Sequence, residues 1–314
     1  MKILFTGASS FTGMWFVKEL VSAGHEVTAI IRNPYESYSG IRKQRIDQLK
    51  PLSRLVFDCS FGSDLFFEVT ENEDYWDLFC HHAAEVANYK IPDFNVEEAV
   101  RNNTKNIDRL IPLLQKRNCL RILLTGSVFE QGEGTGSDAL PAVSAYGLSK
   151  TLTSECFKKI SQKTGMTLGK FVIPNPFGPY EEERFTYYLM NCWFKGQTAV
   201  INTPLYVRDN IPVTLLAKCY RYFTESLFGL SGFQKTNPSW RPESQGEFTK
   251  RYAHEMEKRL SIPCSVHLKE QSIFEEPIIR VNTDQIEAKK LGWNEELDWD
   301  GIAEYYQRMM NSLV

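Results

Sequence analysis

Three side chains in the middle of the chain have the types and the order needed to move a proton to or from an alcohol or carbonyl oxygen. Tyr146 and Lys150 are four residues apart at the start of a predicted helix, which places phenol and ammonium on one helix face. Free tyrosine titrates at about pH 10, and a neighbouring lysine cation brings its pKa towards neutrality. We predict that Tyr146 is an acid/base, Lys150 its electrostatic partner and Ser127 a donor that orients the reacting oxygen. A simple turn or capping serine is the alternative for Ser127.

The position of the Tyr–Lys pair supports this prediction more than its spacing does. In a chain with 14 tyrosines, a lysine four residues after one of them is expected about once by chance. The pair, however, follows the fifth predicted strand, residues 121–125, whose carboxyl end carries Thr125-Gly126-Ser127. Ligands of open α/β sheets bind at such strand ends, so we expect a binding site there.

The elements that must position these residues follow a strand–helix rhythm. Short apolar runs, which predict buried strands, alternate with longer stretches whose apolar residues recur at helical spacing. The predicted strands are residues 3–5, 27–31, 55–57, 78–80, 122–124 and 168–173, and the main predicted helices are 11–23, 96–116 and 146–164. This rhythm predicts an α/β fold with a Rossmann-type, doubly wound parallel sheet.

A change in composition after residue 173 predicts a smaller C-terminal lobe. Prolines and glycines crowd together at 174–179, aromatic residues become frequent and the regular alternation fades. We expect residues 1–173 to form a dinucleotide-binding Rossmann domain and residues 174–314 to be mainly a substrate-binding lobe. Such a lobe can return a late strand to the first sheet.

A glycine-containing turn between the first predicted strand and helix predicts the dinucleotide site. Gly7 can adopt the tight turn, and Gly13 would let the helix approach the strand, while the helix N-terminus offers N–H groups to a pyrophosphate. Ser10 stands where a third glycine is usual, and its hydroxyl either donates to phosphate or crowds it. An ordinary strand-to-helix turn is the alternative. The residues predicted to hold the phosphates are Gly7, Ser9, Ser10, Phe11, Thr12 and Gly13.

The end of the second predicted strand discriminates between NAD and NADP. An acidic residue there accepts hydrogen bonds from the adenosine ribose, whereas a basic residue meets a 2′-phosphate. Here the residue is Arg32, and residues 27–34 contain no Asp or Glu. We therefore predict NADP, with NAD as the alternative and a solvated arginine as the other interpretation of Arg32.

The composition favours small-molecule partners. A net charge of -3 gives no basic surface for nucleic acid or an anionic membrane, and no apolar run is long enough to span a bilayer, so we expect a cytoplasmic protein. The seven cysteines are widely spaced, which predicts buried free thiols. His81 and His82 are adjacent on a predicted strand and point to opposite faces, so we predict no metal site.

Segments spread along the whole chain resemble, in their order and spacing, those of one family. Besides the turn, Ser127 and the Tyr–Lys pair, the likeness rests on His82-Ala83-Ala84, Pro174-Asn175-Pro176-Phe177-Gly178-Pro179, Arg208-Asp209-Asn210-Ile211-Pro212-Val213 and Leu291-Gly292-Trp293. The chain resembles an extended short-chain dehydrogenase/reductase of the nucleotide-sugar epimerase/dehydratase family.

This resemblance implies further site residues. Asn175 resembles the family's contact to the sugar nucleotide, and Arg208 resembles the arginine that holds its diphosphate; Arg184 is close enough in sequence to Asn175 to reach the same substrate. The resemblance also implies a homodimer formed through helices that include the one with Tyr146. The cofactor contacts it implies are Asp58 (to adenine), Ala83, Ala84, Asn103, Thr125, Tyr146, Lys150 and Pro174.

The chain departs from the dehydratases of that family. Those enzymes resemble one another in an Asp-Glu pair beside the Ser or Thr, whereas here Ser127 is followed by Val128 and Phe129, with Glu130 next. Glu130 alone could serve an acid/base role. We therefore predict NAD(P)-dependent hydride transfer on a nucleotide-linked sugar, by 4-keto reduction or 4-epimerisation. The alternatives are an inactive NAD(P)-binding regulatory protein and a reductase of a non-sugar carbonyl.

Overall fold

The structure is a computed structural model that describes residues 1–86, 94–136, 140–273 and 276–311. The first half contains β1 (Lys2–Thr6), α1 (Phe11–Ser22), β2 (Glu26–Ile30), α2 (Gly40–Leu49), β3 (Arg54–Val56), α3 (Asp64–Glu71), β4 (Leu78–His81), α4 (Val96–Asn103), α5 (Ile107–Lys116), β5 (Arg121–Ser127), β6 (Thr135–Gly136) and α6 (Ala145–Thr164). The second half contains β7 (Thr167–Ile173), β8 (Asn175–Phe177), α7 (Phe185–Phe194), β9 (Ala199–Ile201), β10 (Val207–Pro212), α8 (Val213–Ser226), β11 (Phe233–Thr236), β12 (Pro238–Ser239), β13 (Pro242–Ser244), α9 (Gln245–Leu260), β14 (Val266–Leu268), β15 (Ile279–Val281), β16 (Asp284–Gln285) and α10 (Glu295–Asn311).

Seven parallel strands form the main sheet, in the order β11-β7-β5-β4-β1-β2-β3. The register pairs Thr6 with His81 and His81 with Leu124, so the carboxyl ends of β1, β4 and β5 lie together. The strand order reverses between β1 and β4, which is where open α/β sheets bind their ligands. The predicted fold class, an α/β Rossmann-type parallel sheet, is confirmed.

Two compact units make up the chain. Within the described chain, unit 1 comprises residues 1–86, 94–133, 140–173 and 217–237, and unit 2 comprises residues 134–136, 174–216, 238–273 and 276–311. Unit 1 holds the whole seven-stranded sheet, including β11 from the second half of the chain. None of the helices in the described part of the chain has both the length and the hydropathy that a bilayer span requires.

The core of unit 1 explains why the apolar runs form strands and helices. Buried side chains from the sheet, such as Leu4 and Phe79, pack against Leu110 of α5 and Phe157 of α6. Full burial of each such side chain contributes roughly 1.5–3 kcal/mol. Five of the seven cysteines are buried, as predicted, but Cys156 is exposed and Cys219 is half-buried, because they lie on helix faces that are not fully covered.

The predicted helix 96–116 is two helices in the structure. α4 ends at Asn103, and α5 begins after Asn106, whose φ of 56° is left-handed and therefore breaks the helix. Asn106 tolerates this conformation because its side-chain amide donates to the carbonyl of Gly62 at 2.8 Å. The prediction of one continuous helix was wrong because apolar spacing alone does not register such a break.

Unit 2 is built around β10. This strand pairs with β13, β15 and β8, and α7, α9 and α10 bury Trp193, Tyr252 and Trp299 in a common core. Thr214, the residue after the 208–213 segment, donates to Asp298 and accepts from Trp293 Nε1 at 3.0 Å. These contacts join the start of α8 to α10.

Candidate active site

The turn after β1 has the geometry of a phosphate cradle. Ser10 is the N-cap of α1, and its Oγ accepts from the backbone N–H of Gly13 at 3.1 Å. The first helical turn, Phe11-Thr12-Gly13-Met14, is uncharged, so the positive end of the helix dipole faces the turn uncompensated. The turn therefore suits an anion.

Both glycines of the turn are required by close backbone approach. A Cβ on Gly7, whose φ is +84°, would lie 2.6 Å from the backbone nitrogen of Ala83. A Cβ on Gly13 would lie 2.3 Å from the carbonyl oxygen of Gly7. Helix, turn and the segment after β4 pack too tightly here for any side chain. These residues fit a nicotinamide dinucleotide, with its pyrophosphate at the N-terminus of α1.

The hydroxyl of Ser10 is engaged within the protein. It lies 2.9 Å from the carbonyl oxygen of Gly7 and 2.9 Å from Nε2 of His82. The carbonyl can only accept, so it takes the hydroxyl proton. The expectation that Ser10 donates to phosphate is not supported, because its single proton is already used.

Lys150 joins α6 to the end of β5. Its side chain is 5% exposed, and Nζ donates to the carbonyl oxygen of Thr125. Burial lowers the pKa of Lys150 to about 8, with the carboxylate of Glu130 opposing the shift and the cation of Lys170 adding to it. The ammonium group is thus held at the strand end where a ligand is expected.

Tyr146 lies in the first turn of α6, one helical turn before Lys150. α6 begins there because Ser144 caps it through the N–H of Gly147 at 3.2 Å. The phenol ring is half-buried and meets Phe94 edge-on, with 6.3 Å between ring centroids. The tyrosine is therefore positioned by the same helix that fixes Lys150.

Ser127 ends β5 in a tight turn. Its Oγ accepts from the N–H of Phe129 at 3.2 Å, which leaves the hydroxyl proton for donation elsewhere. Its own N–H donates to Oε1 of Glu130 at 2.8 Å. The predicted turn role and the predicted donor role are therefore compatible.

A buried ion-pair network behind Ser127 was missed by the sequence analysis. Glu130 is fully buried and also accepts from Lys170 Nζ at 2.5 Å and Ser154 Oγ at 3.0 Å. Lys170 also donates to Glu133 at 2.9 Å. Because its carboxylate is committed to Ser127, Ser154 and Lys170, Glu130 is not available as the acid/base that the sequence analysis considered.

The segment after β4 is held by one side chain that was predicted to contact the cofactor. Asn103 is buried; its Oδ1 accepts from the N–H of Glu85 at 2.8 Å, and its Nδ2 lies 3.3 Å from Oγ1 of Thr153. Its amide oxygen therefore supports the backbone that follows Ala83 and Ala84. His81 points to the opposite side from His82, as predicted, and contacts Oγ1 of Thr6 at 3.0 Å.

The predicted determinants of the adenosine half lie at strand ends. Arg32 has a 58% exposed side chain, and its Nη1 is 3.6 Å from Oε2 of Glu85. Asp58 is exposed just beyond β3 with a left-handed φ of 52°. Pro174 is the residue directly after β7. The pairing of Arg32 with a carboxylate weakens its case as a 2′-phosphate ligand.

A cleft in unit 2 contains all three predicted substrate residues. Asn175, Arg184 and Arg208 line it together with the amide of Gln245 and the aromatic rings of Phe185, Tyr206 and Phe248. Cationic and amide groups beside aromatic rings suit a nucleoside diphosphate, since rings stack on a base while guanidinium binds phosphate. The three aromatic rings and Gln245 were not predicted as site residues.

Arg208 is anchored deeply in this cleft. It is 2% exposed, and Nη1 donates to the carbonyls of Val207 at 2.8 Å and Pro277 at 2.9 Å. Nη2 donates to Oε2 of Glu276 at 2.9 Å, and the guanidinium lies 4.2 Å from the centre of the Tyr206 ring. A diphosphate would therefore compete with Glu276 for Arg208.

Glu181, the first of three consecutive glutamates, also lines the cleft. Burial raises the pKa of Glu181 to about 7, opposed by a hydrogen bond from Thr186 Oγ1 at 2.8 Å. The run of three glutamates conceals this burial, because only the fold distinguishes Glu181 from its neighbours.

A family model decides the assignment. The description of that family is "NAD dependent epimerase/dehydratase family", and its model matches residues 3–225. The chain belongs to the NAD dependent epimerase/dehydratase family. The family predicted from the motifs is confirmed, and with it a nicotinamide cofactor. None of the curated proteins has a sequence that matches this chain significantly.

Solved structures of this type share the fold over nearly the whole chain. UDP-glucose 4-epimerase from Bifidobacterium longum, in complex with NAD+ and UDP, is 19% identical with a TM-score of 0.72 and covers 99% of both chains. UDP-glucose 4-epimerase from Thermotoga maritima with UDP-glucose is 16% identical with a TM-score of 0.73, covering 99% of this chain and 100% of its own. UDP-glucuronic acid 4-epimerase from Bacillus cereus, with UDP-glucuronic acid and NAD, is 16% identical with a TM-score of 0.70, covering 98% and 100%.

Proposed function

We propose that this member of the epimerase/dehydratase family is an NAD-dependent 4-epimerase of a nucleotide-linked sugar. The observation that carries the proposal is Lys150, which is buried one helical turn after Tyr146 and donates to the carbonyl of Thr125, two residues before Ser127 on β5. Burying a lysine is costly, so its presence at this strand end supports a catalytic role.

NAD is the cofactor we propose, which revises the preference for NADP drawn from Arg32. The family is described as NAD dependent, and the Bifidobacterium and Bacillus epimerases were crystallised with NAD. The contact of Arg32 with Glu85 also favours NAD over NADP, because a carboxylate at this point repels a 2′-phosphate.

The chemistry follows from what each side chain can do. When bound, a nicotinamide would supply reversible hydride transfer at the sugar carbon. Tyr146 removes the proton from the sugar hydroxyl and restores it, and the cation of Lys150 stabilises its phenolate. The hydroxyl of Ser127 donates a hydrogen bond to the reacting oxygen and so orients that oxygen.

We assign recognition of the nucleoside diphosphate to the cleft of unit 2. Arg208 supplies bidentate-capable donors for phosphate, Asn175 supplies an amide, and Tyr206 and Phe248 supply faces for a base. Domain-level roles follow: unit 1 binds the dinucleotide and carries the acid/base, and unit 2 selects the substrate. The UDP-sugars present in the neighbouring structures make uridine the first nucleotide to test.

The test is a product assay across UDP-, dTDP-, GDP- and CDP-sugars, read by NMR for inversion at C4. We expect the sugars of one nucleotide series to be epimerised with no net consumption of NAD. We expect Tyr146→Phe to lower kcat by at least a hundredfold. Tyr222→Phe, which changes a 64% exposed tyrosine on α8, is the matched control and should keep full activity. Stoichiometric consumption of NADPH would instead identify a reductase, and unchanged turnover in Tyr146→Phe would refute the catalytic assignment.

A further inference from the structure

His82 connects the phosphate turn to the strand that carries the catalytic serine. Its Nε2 lies 2.9 Å from Oγ of Ser10 and 3.2 Å from Oγ1 of Thr12, and its Nδ1 lies 2.9 Å from Oγ1 of Thr125. Both ring nitrogens are therefore used, one towards the turn after β1 and one towards β5.

Hydrogen-bond accounting assigns the tautomer of this imidazole. With the hydroxyl proton of Ser10 assigned to the carbonyl oxygen of Gly7, His82 Nε2 is the donor to Ser10 Oγ, and the same N–H faces Thr12 Oγ1 at 3.2 Å. In a neutral ring Nδ1 then carries no proton and accepts from the hydroxyl of Thr125. Burial, with the cation of Lys150 second, lowers the pKa of His82 to about 3, so the ring is neutral at physiological pH.

Two aromatic rings and helix α1 pack against the imidazole. Phe16 of α1 meets it edge-on with 5.3 Å between centroids, and Phe5 of β1 lies 5.8 Å away. A Cβ on Gly13 would lie 2.9 Å from the imidazole Cδ2, so helix α1 rests directly on the ring. Ser10, in a position where a glycine is usual, thereby gains a defined partner.

We propose that His82, as its neutral Nε2–H tautomer, is a positioning residue that ties the phosphate turn at Ser10 to β5 at Thr125. The inference rests on the proposed function, because its purpose is to fix the dinucleotide phosphates relative to the strand that bears Ser127. The turn is preorganised before cofactor arrives, so less ordering is needed on binding.

The test measures NAD affinity by calorimetry in His82→Leu, Ser10→Ala and the double variant. We expect His82→Leu to raise the Kd about tenfold, the scale of one to two lost hydrogen bonds. The Kd of the double variant should exceed that of the wild type by no more than about twentyfold, because both changes break the same contact. His82→Gln, whose amide nitrogen can donate to Ser10, should recover most of the affinity. The matched control, His254→Leu on the exposed face of α9, should bind as the wild type does.

A second readout does not depend on cofactor. Long-range ¹⁵N–¹H NMR of the free protein should show the His82 signal, identified by its loss in His82→Leu, as the Nε2–H tautomer. An Nδ1–H tautomer, a wild-type Kd in His82→Leu, or about hundredfold additive loss in the double variant would each overturn the inference. Failure of the wild type to bind NAD or NADP would overturn the proposed function instead, while the tautomer result would still decide the hydrogen-bond bridge.

Discussion

Replacing Lys150 by Met should change how the stability of the protein depends on alkaline pH. Burial lowers the pKa of Lys150 from 10.5 to about 8, so between these values the unfolded chain holds a proton that the native state has lost. The free energy of unfolding of the wild type therefore gains a contribution as pH rises through this window. For one group this contribution is about 2.5 kcal/mol between pH 7 and pH 10. Lys150→Met lacks it.

The measurement is urea unfolding of cofactor-free wild type and Lys150→Met from pH 7 to pH 10. Other titrating groups are common to both proteins, so the difference between their unfolding free energies isolates Lys150. We expect the difference to move by about 2.5 kcal/mol in favour of the wild type as pH rises. Lys163→Met, which changes an exposed lysine on the same helix, should show no comparable movement. A constant difference for Lys150→Met would refute the argument that burial depresses its pKa.

Three further predictions test the phosphate turn, the acid side of stability and the substrate cleft. Gly13→Ala, whose Cβ would lie 2.3 Å from the carbonyl oxygen of Gly7, should abolish dinucleotide binding by calorimetry; an unchanged Kd would contradict the packing argument. Burial lowers the pKa of His81 to about 3, so its contribution to stability should fall by about 2 kcal/mol between pH 8 and pH 5, and urea unfolding of His81→Gln should lack that slope. Glu276→Gln, which frees Arg208 from a competing carboxylate, should lower the KM for the nucleotide sugar several-fold at unchanged kcat; an increased KM would show that Glu276 helps to hold the arginine in place.

The sequence predicts well what depends on neighbours close in the chain. The apolar runs predict the strands because burial on both faces of a parallel sheet removes any need for alternation, and β1, β4 and β5 are found within one to three residues of their predicted bounds. The turn after β1 is likewise local. Helix 96–116 fails at Asn106 because its left-handed conformation is stabilised by Gly62, a residue 44 positions away.

Contacts between distant residues set the limits of prediction at the candidate site. Arg32 has the residue type that favours NADP, but only the fold places Glu85 within 3.6 Å of it and thereby reverses the inference. Similarly, Glu181 and its neighbours are indistinguishable by type, yet only Glu181 lines the cleft with a pKa raised to about 7 by burial. The sequence thus identifies which side chains are charged. What each charged side chain can bind or catalyse depends on the partners that the fold places beside it.

Glu130 shows this dependence most clearly and bears on the reaction. A carboxylate three residues after Ser127 could act in eliminating water, as the acid/base groups of dehydratases do. In the structure, however, its two oxygens are committed to Ser127 N–H, Ser154 Oγ and Lys170 Nζ, and it is fully buried. Removing it would leave the Lys170 cation with Glu133 as its only remaining carboxylate among the contacts described. These contacts hold the end of β5, which supports our proposal that Tyr146 carries the proton chemistry and that the reaction is hydride transfer and return, not elimination.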